Sequence, residues 1–202
     1  MKFLIAYNNN PADSAEGFFS NCGEEILDET GNRQIENAVL TPPSLTNTLL
    51  VQNLSDCQVC VIANHGDARS IDGDNGDLVS IDTNNKPFMG KLLYAISCSC
   101  AKELKDNLVS EGLRSFWGYD NELNVWIGYP QYARSALAGI KSLIAGNTVR
   151  EAKEQMLSQY NADIAELEAQ YPNRLDLAAA LLDNREALVV YGDDDDLTLS
   201  DL

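Results

Sequence analysis

The sequence predicts a single α/β domain built in three layers, α/β/α, with helices on both faces of a mainly parallel central sheet. Short, nearly unbroken apolar runs recur at residues 57–63, 91–96 and 115–118, the pattern of strands buried on both faces. Helical spacing fills intervals between them and most of the chain after residue 131. A length of 202 residues, with no internal repeat and no linker, suits one domain with a full-sized core. Residues 1–202 are therefore read as one unit, with an acidic tail at 193–202.

Residues 2–7 form the expected first strand, ended by the turn cluster Asn8-Asn9-Asn10-Pro11. A weak helical segment follows at 14–27, and the polar stretch 28–37 reads as loop. After Pro42-Pro43, residues 44–54 have helical spacing through Leu45, Leu49 and Leu50. The apolar strand 57–63 stops abruptly at Asn64-His65-Gly66-Asp67. Residues 69–85, rich in Asp, Asn and Gly, read as a loop or hairpin with a strand-like piece at 78–81. The strand 91–96 stops as abruptly at Ser97-Cys98-Ser99-Cys100, and a helix is expected at 101–111 with Gly112 as its C-terminal cap. A third strand, 115–118, precedes a helix at 131–145. Thr148-Val149-Arg150-Glu151 is a capping box that opens the next helix. A further helical piece at 175–182 leads to a last strand at 187–191, closed by Gly192 and Asp193 to Asp196.

Composition narrows the function classes. A net charge of −17 repels phosphate backbones, so no nucleic acid partner is expected. No apolar run approaches the ~20 residues that span a bilayer, so no membrane partner is expected either. Residues 1–7 are too short for a signal peptide, which makes the cytoplasm the default location. Five cysteines, an odd number in a chain of this size, argue for reduced thiols rather than a disulfide scaffold.

Both abrupt stops lie at strand carboxyl ends, where chemistry sits in open parallel sheets. A thiol attacks as thiolate, and a nearby imidazole can take its proton. His65 is the one histidine in the chain, so a Cys–His enzyme has no other base of that kind. Cys98 lies between a strand and a helix, where the opening amides of that helix would stabilise a thiolate. Gly66 allows close backbone approach to a substrate. Its amide and that of Cys98 are candidate oxyanion donors.

These residues carry a resemblance. Val61-Ile62-Ala63-Asn64-His65-Gly66-Asp67 resembles the strand and His-Gly of the caspase-like (clan CD) cysteine peptidases. Leu92-Leu93-Tyr94-Ala95-Ile96-Ser97-Cys98-Ser99-Cys100-Ala101 resembles the strand that delivers their nucleophile, in the form of the bacterial CHAT and gingipain-like branch. Gly112 with Phe116-Trp117-Gly118-Tyr119, and Asn184 to Asp193, are similar to the later helix, glycine and strands of that branch. The resemblance covers roughly residues 55–195. It implies a caspase-hemoglobinase fold and cysteine endopeptidase activity on a protein or peptide substrate. His65 would be the base, Cys98 the nucleophile, and a regulatory protein a further partner. Cys100 departs from the branch, which more often has Ser, Thr or Gly there. The substrate-binding residues stay unassigned; the acidic surface leans toward a basic residue before the scissile bond, with Asp67, Asp120 and Glu122 as candidates.

Three other readings compete. Cys57, Cys60, Cys98 and Cys100 supply four sulfurs, a number zinc accepts. Cys57 and Cys60, however, are three apart on an expected strand, which would point them to opposite faces. No metal is therefore expected there. The loop Asp72-Gly73-Asp74-Asn75-Gly76-Asp77 offers oxygens to calcium but lacks the EF-hand register and closing Glu. Some caspase-like peptidases are calcium-activated, so calcium stays a candidate while no other cofactor is expected. Last, a catalytically inactive module on the same fold would bind proteins without cleaving them.

Overall fold

In the computed structural model, which describes residues 1–192 and 196–202, the first strand β1 (Lys2–Tyr7) lies inside the sheet. It pairs in parallel with β2 (Glu36–Leu40) on one side and β3 (Val59–Ala63) on the other. The sheet continues through β6 (Leu92–Ile96), β7 (Ser115–Tyr119) and β8 (Leu188–Tyr191), in the order β2-β1-β3-β6-β7-β8. All neighbours run parallel except β7 and β8, which are antiparallel. A separate hairpin, β4 (Ser70–Gly73) with β5 (Gly76–Ser80), grows out of the chain between β3 and β6.

Helices cover both faces, as the sequence predicts. Tyr7, Ala63, Ile96 and Tyr119 project into a core shared with α1 (Glu16–Asn32), α4 (Gln131–Ile144), α5 (Val149–Gln170) and α6 (Leu175–Ala187). The alternate residues Ala6, Ile62, Ala95 and Phe116 project into a second core with α2 (Asn47–Leu54) and α3 (Leu104–Ser110). The two-residue alternation of strands produces this split. In the first core, Tyr94 stacks on Trp117 at 5.4 Å and donates to the Ala136 carbonyl at 2.7 Å. Asp163 of α5 is fully buried there. It accepts from Ser135 Oγ at 2.7 Å and Gln159 at 3.0 Å, and it pairs with Arg134. The Thr148 capping box forms as expected, Glu151 answering the Thr148 amide at 2.9 Å.

Several boundaries differ from expectation. The stretch 28–37 is not loop: α1 continues to Asn32, and β2 begins at Glu36. β2 is an edge strand, mostly half-exposed, so it shows no apolar run. α3 starts at Leu104 rather than 101, because turns occupy the residues after Cys98. Cys57 precedes β3 instead of belonging to it, so strand alternation does not separate it from Cys60. Both are buried in the second core, and burial raises both thiols above their ordinary pKa. In the tail, Leu197 and Leu199 are buried, and the Leu197 carbonyl accepts from the Val149 amide at 2.8 Å. Asp193, with the other aspartates to 195, lies outside the described residues. No helix among the described residues is long and apolar enough to cross a membrane.

Candidate active site

Strand register brings His65 and Cys98 to one place. β3 and β6 are adjacent, and Ala63 pairs with Ile96 at their carboxyl ends. His65 and Cys98 each lie two residues beyond that pair. The Asn64 amide continues the contact between the strands, donating to the Ile96 carbonyl at 3.3 Å. Neighbouring strands are ~4.8 Å apart. Both side chains face the α1 layer. The His65 ring meets Phe19 of α1 edge-on at 5.0 Å, and Cys98 packs on the same core. Each is half-buried, so solvent or a substrate can reach it.

A carboxylate holds the imidazole. Asp13, in the loop between β1 and α1, receives His65 Nε2 at 3.0 and 2.9 Å on its two oxygens. The Ala15 amide also donates to Asp13 at 2.8 Å, and Asn8 Nδ2 donates at 2.7 Å. Burial alone would raise the Asp13 pKa, but the Ala15 amide, the His65 ring and Asn8 outweigh it and hold it below its ordinary value. An ionised Asp13 fixes the tautomer with the proton on Nε2, which leaves Nδ1 with its lone pair. Nothing local in the sequence marks Asp13 for this role. It looks like an ordinary capping residue before a helix, and its second role depends on β1 lying beside β3.

Cys98 is held differently from expectation. Because α3 starts six residues later, its amides do not reach the sulfur; the donor is the Leu123 amide, 3.3 Å from Sγ. The turn between is pinned at three points. The Ser99 amide donates to Asn121 O at 2.8 Å, the Ala101 amide to Tyr119 O at 2.9 Å and the Leu104 amide to Ala68 O at 3.0 Å. Ser99 has φ 54°, in the left-handed region, a strained conformation that reverses the chain. Consequently Cys100 enters the opposite core, fully buried, where burial pushes its thiol up to about 12. This separates the two cysteines: Cys98 is reachable and Cys100 is not.

Gly66 serves a packing need beyond the one expected. A Cβ there would lie 2.4 Å from Ser97 Oγ and 2.6 Å from the Ser70 carbonyl oxygen. Ser97 Oγ is itself buried without a hydrogen-bond partner among the described residues. The amides of Gly66 and Cys98 have no protein acceptor among the described residues.

Beside His65, a cleft of about 220 Å³ is lined by Asn8, Asn10, Asp13, Asn64, Asp72 and Asp74, among others. It lies where the chain leaves β1 for one side of the sheet and returns as β3 on the other, the crevice where ligands bind in such sheets. Burial raises the Asp72 pKa, the His65 ring opposes this, and Asp67 and Asp77 add to it. Asp67, Asp120 and Glu122 do not line this cleft. Asp67 instead caps a turn, accepting from the Arg69 and Ser70 amides at 2.7 and 2.9 Å.

The four sulfurs of the zinc reading do not converge, since Cys98 faces the first core while Cys57, Cys60 and Cys100 lie in the second. The Asp72–Asp77 sequence forms the β4–β5 turn, with Asp74 accepting from the Leu45 amide at 2.6 Å. Among the described residues, no three His, Cys, Asp or Glu side chains are grouped so as to hold a metal ion. The chain matches no protein-family model, and no curated protein is significantly similar to it.

Proposed function

We propose that the chain is a cysteine endopeptidase on a caspase-hemoglobinase-like fold, acting on a protein or peptide substrate through Cys98 and His65. One observation carries this reading. Adjacent parallel strands extend a thiol and an imidazole onto the same face, with a carboxylate holding the imidazole from behind. These groups supply the nucleophile, base and orienter that acyl transfer uses, the thiol and the ring standing on neighbouring strand ends with Leu123 and Asp13 as their respective hydrogen-bond partners.

His65 Nδ1 takes the Cys98 proton as Sγ attacks the scissile carbonyl carbon. Asp13 holds the ring and stabilises the imidazolium that forms. The Leu123 amide stabilises the thiolate. Charge developing on the carbonyl oxygen is met by the amides of Gly66 and Cys98, which have no acceptor among the described residues. The imidazolium then gives its proton to the leaving amine as the C–N bond breaks. Water, deprotonated by His65, attacks the thioester and frees the acid and the thiol.

The test is a peptidyl acyloxymethyl ketone panel, read by intact mass. One adduct per chain is expected, lost in Cys98→Ala, retained in Cys100→Ala and strongly slowed in His65→Ala. Equal labelling of the Cys98→Ala chain would remove the proposal.

A further inference from the structure

We infer that the substrate carries a large apolar side chain within two residues of the scissile bond, received by a groove between α1 and the segment after β7. The inference rests on the peptidase reading and adds a substrate class to it.

The groove measures about 250 Å³ and is lined by Gly17, Phe18, Trp126, Ile127, Tyr129 and Ala133, with no charged residue in its walls. In a chain of net charge −17, an uncharged recess beside the candidate dyad is a selective feature. An apolar cavity of ~150 Å³ already accommodates a benzene ring, so a Leu, Met, Phe or Tyr side chain fits this space. Its wall includes exposed apolar surface, Trp126 at 39% and Ile127 at 56%. Arg174 lies over the Trp126 ring, 5.2 Å from its centroid, so the indole is held in place before any ligand arrives.

The groove is linked to the dyad through one neighbour on each side. Phe18 lines it, and Phe18 contacts Phe19 edge-on at 5.6 Å; Phe19 in turn contacts the His65 ring at 5.0 Å. On the other side, Leu123 donates its amide to Cys98 Sγ, and Trp126 of the groove wall follows three residues later. An extended peptide advances ~3.3 Å per residue. The three residues from Leu123 to Trp126 span at most ~11 Å, so a long side chain one or two residues from a carbonyl at Cys98 reaches the Trp126 wall. This continuity selects a substrate side chain as the occupant.

Gly17 supplies the test. It is an exposed helix position, and a Cβ there would sit 3.8 Å from Ile127, at ordinary contact distance. Gly17→Leu should therefore fill the groove while favouring the helix. The full-length chain is given peptides from a digested, denatured proteome, and the new termini are sequenced. Wild type should favour large apolar residues at one fixed position within two residues of the cut. Gly17→Leu should lower the large-over-small preference there by about tenfold. Cleavage with no such preference, or a preference unmoved by Gly17→Leu, overturns the inference and leaves the peptidase reading standing. If wild type cuts nothing, the Cys98→Ala chain is titrated with acetyl-Ala-Ala-Phe-Ala-amide and its Lys counterpart, observing the Trp126 indole by NMR. Saturable binding of the Phe peptide alone, lost in Gly17→Leu, keeps the groove assignment without the peptidase; no binding overturns it. A dimer that Gly17→Leu dissociates, seen by sedimentation, would make the occupant a second copy and also overturn it.

Discussion

Gly66→Ala probes the packing between the His65 and Cys98 loops. The added methyl would lie 2.4 Å from Ser97 Oγ and 2.6 Å from the Ser70 carbonyl oxygen. Ser97 is fully buried, so its hydroxyl has little room to turn away, and the backbone oxygen cannot move without disturbing the Gly66–Ile71 bridge. Overpacking of this kind costs ~1–3 kcal/mol. Loss of glycine entropy from the unfolded chain returns ~0.4–1 kcal/mol. The net expected destabilisation is about 1–2 kcal/mol. Ser97→Ala removes a buried hydroxyl that has no partner among the described residues, so alone it should be neutral or slightly stabilising. Combined with Gly66→Ala it removes the closer clash and leaves the carbonyl clash. The double mutant should therefore recover roughly 0.5–1 kcal/mol as a coupling energy. Urea unfolding of the four chains, followed by the fluorescence of buried Trp117, measures the cycle. Turnover should fall about 100-fold in Gly66→Ala, because the Gly66 amide shifts from its donor position. A Gly66→Ala chain as stable as wild type, or effects additive within ~0.3 kcal/mol, would refute the close packing.

Four further outcomes are expected. Asp13→Asn should lower kcat by about 100- to 10,000-fold with KM little changed, since the ring loses its tautomer but the cleft keeps its shape; an unchanged kcat would separate Asp13 from the chemistry. The Asp13 pKa is lowered in the fold, so its contribution to stability is complete above the unfolded carboxylate value of ~3.9 and is lost as pH falls through the lower folded value. Acid unfolding curves of wild type and Asp13→Asn should accordingly differ most at neutral pH and converge at the acid end. Cys98 should react with iodoacetamide in the native chain, and Cys100 only after denaturation, as peptide mapping would show. Finally, Asp163→Ala leaves Ser135 Oγ without its acceptor and Arg134 with Glu166 alone, and a loss of ~1–3 kcal/mol is expected in urea melts after allowing for the solvent exposure of Arg134.

Much of the layout was legible because buried parallel strands leave a plain trace. The runs ending at Ala63, Ile96 and Tyr119 are buried at every position, so apolar continuity marks them. β2 left no such trace, because an edge strand half open to solvent tolerates Glu36 and Asn37. His65 and Cys98 were visible as polar stops after those runs. Asp13 was not, since nothing local reveals that β1 lies against β3. The direction of Cys100 was equally hidden. Two residues of spacing suggest a shared face, and only the left-handed turn at Ser99 sends the second sulfur to the other core. Net charge suggests Asp67, Asp120 and Glu122 but does not specify position; Asp72 and Asp74 line the cleft beside His65.

One sulfur and one imidazole are proposed to cooperate in breaking a peptide bond. Counting new amino termini in a peptide library, incubated with wild type, Cys98→Ala and His65→Ala, tests it most directly. Cleavage by wild type is expected, with none above background in either variant. Cleavage that persists without the Cys98 sulfur, or a wild-type chain that opens no bond, would contradict it.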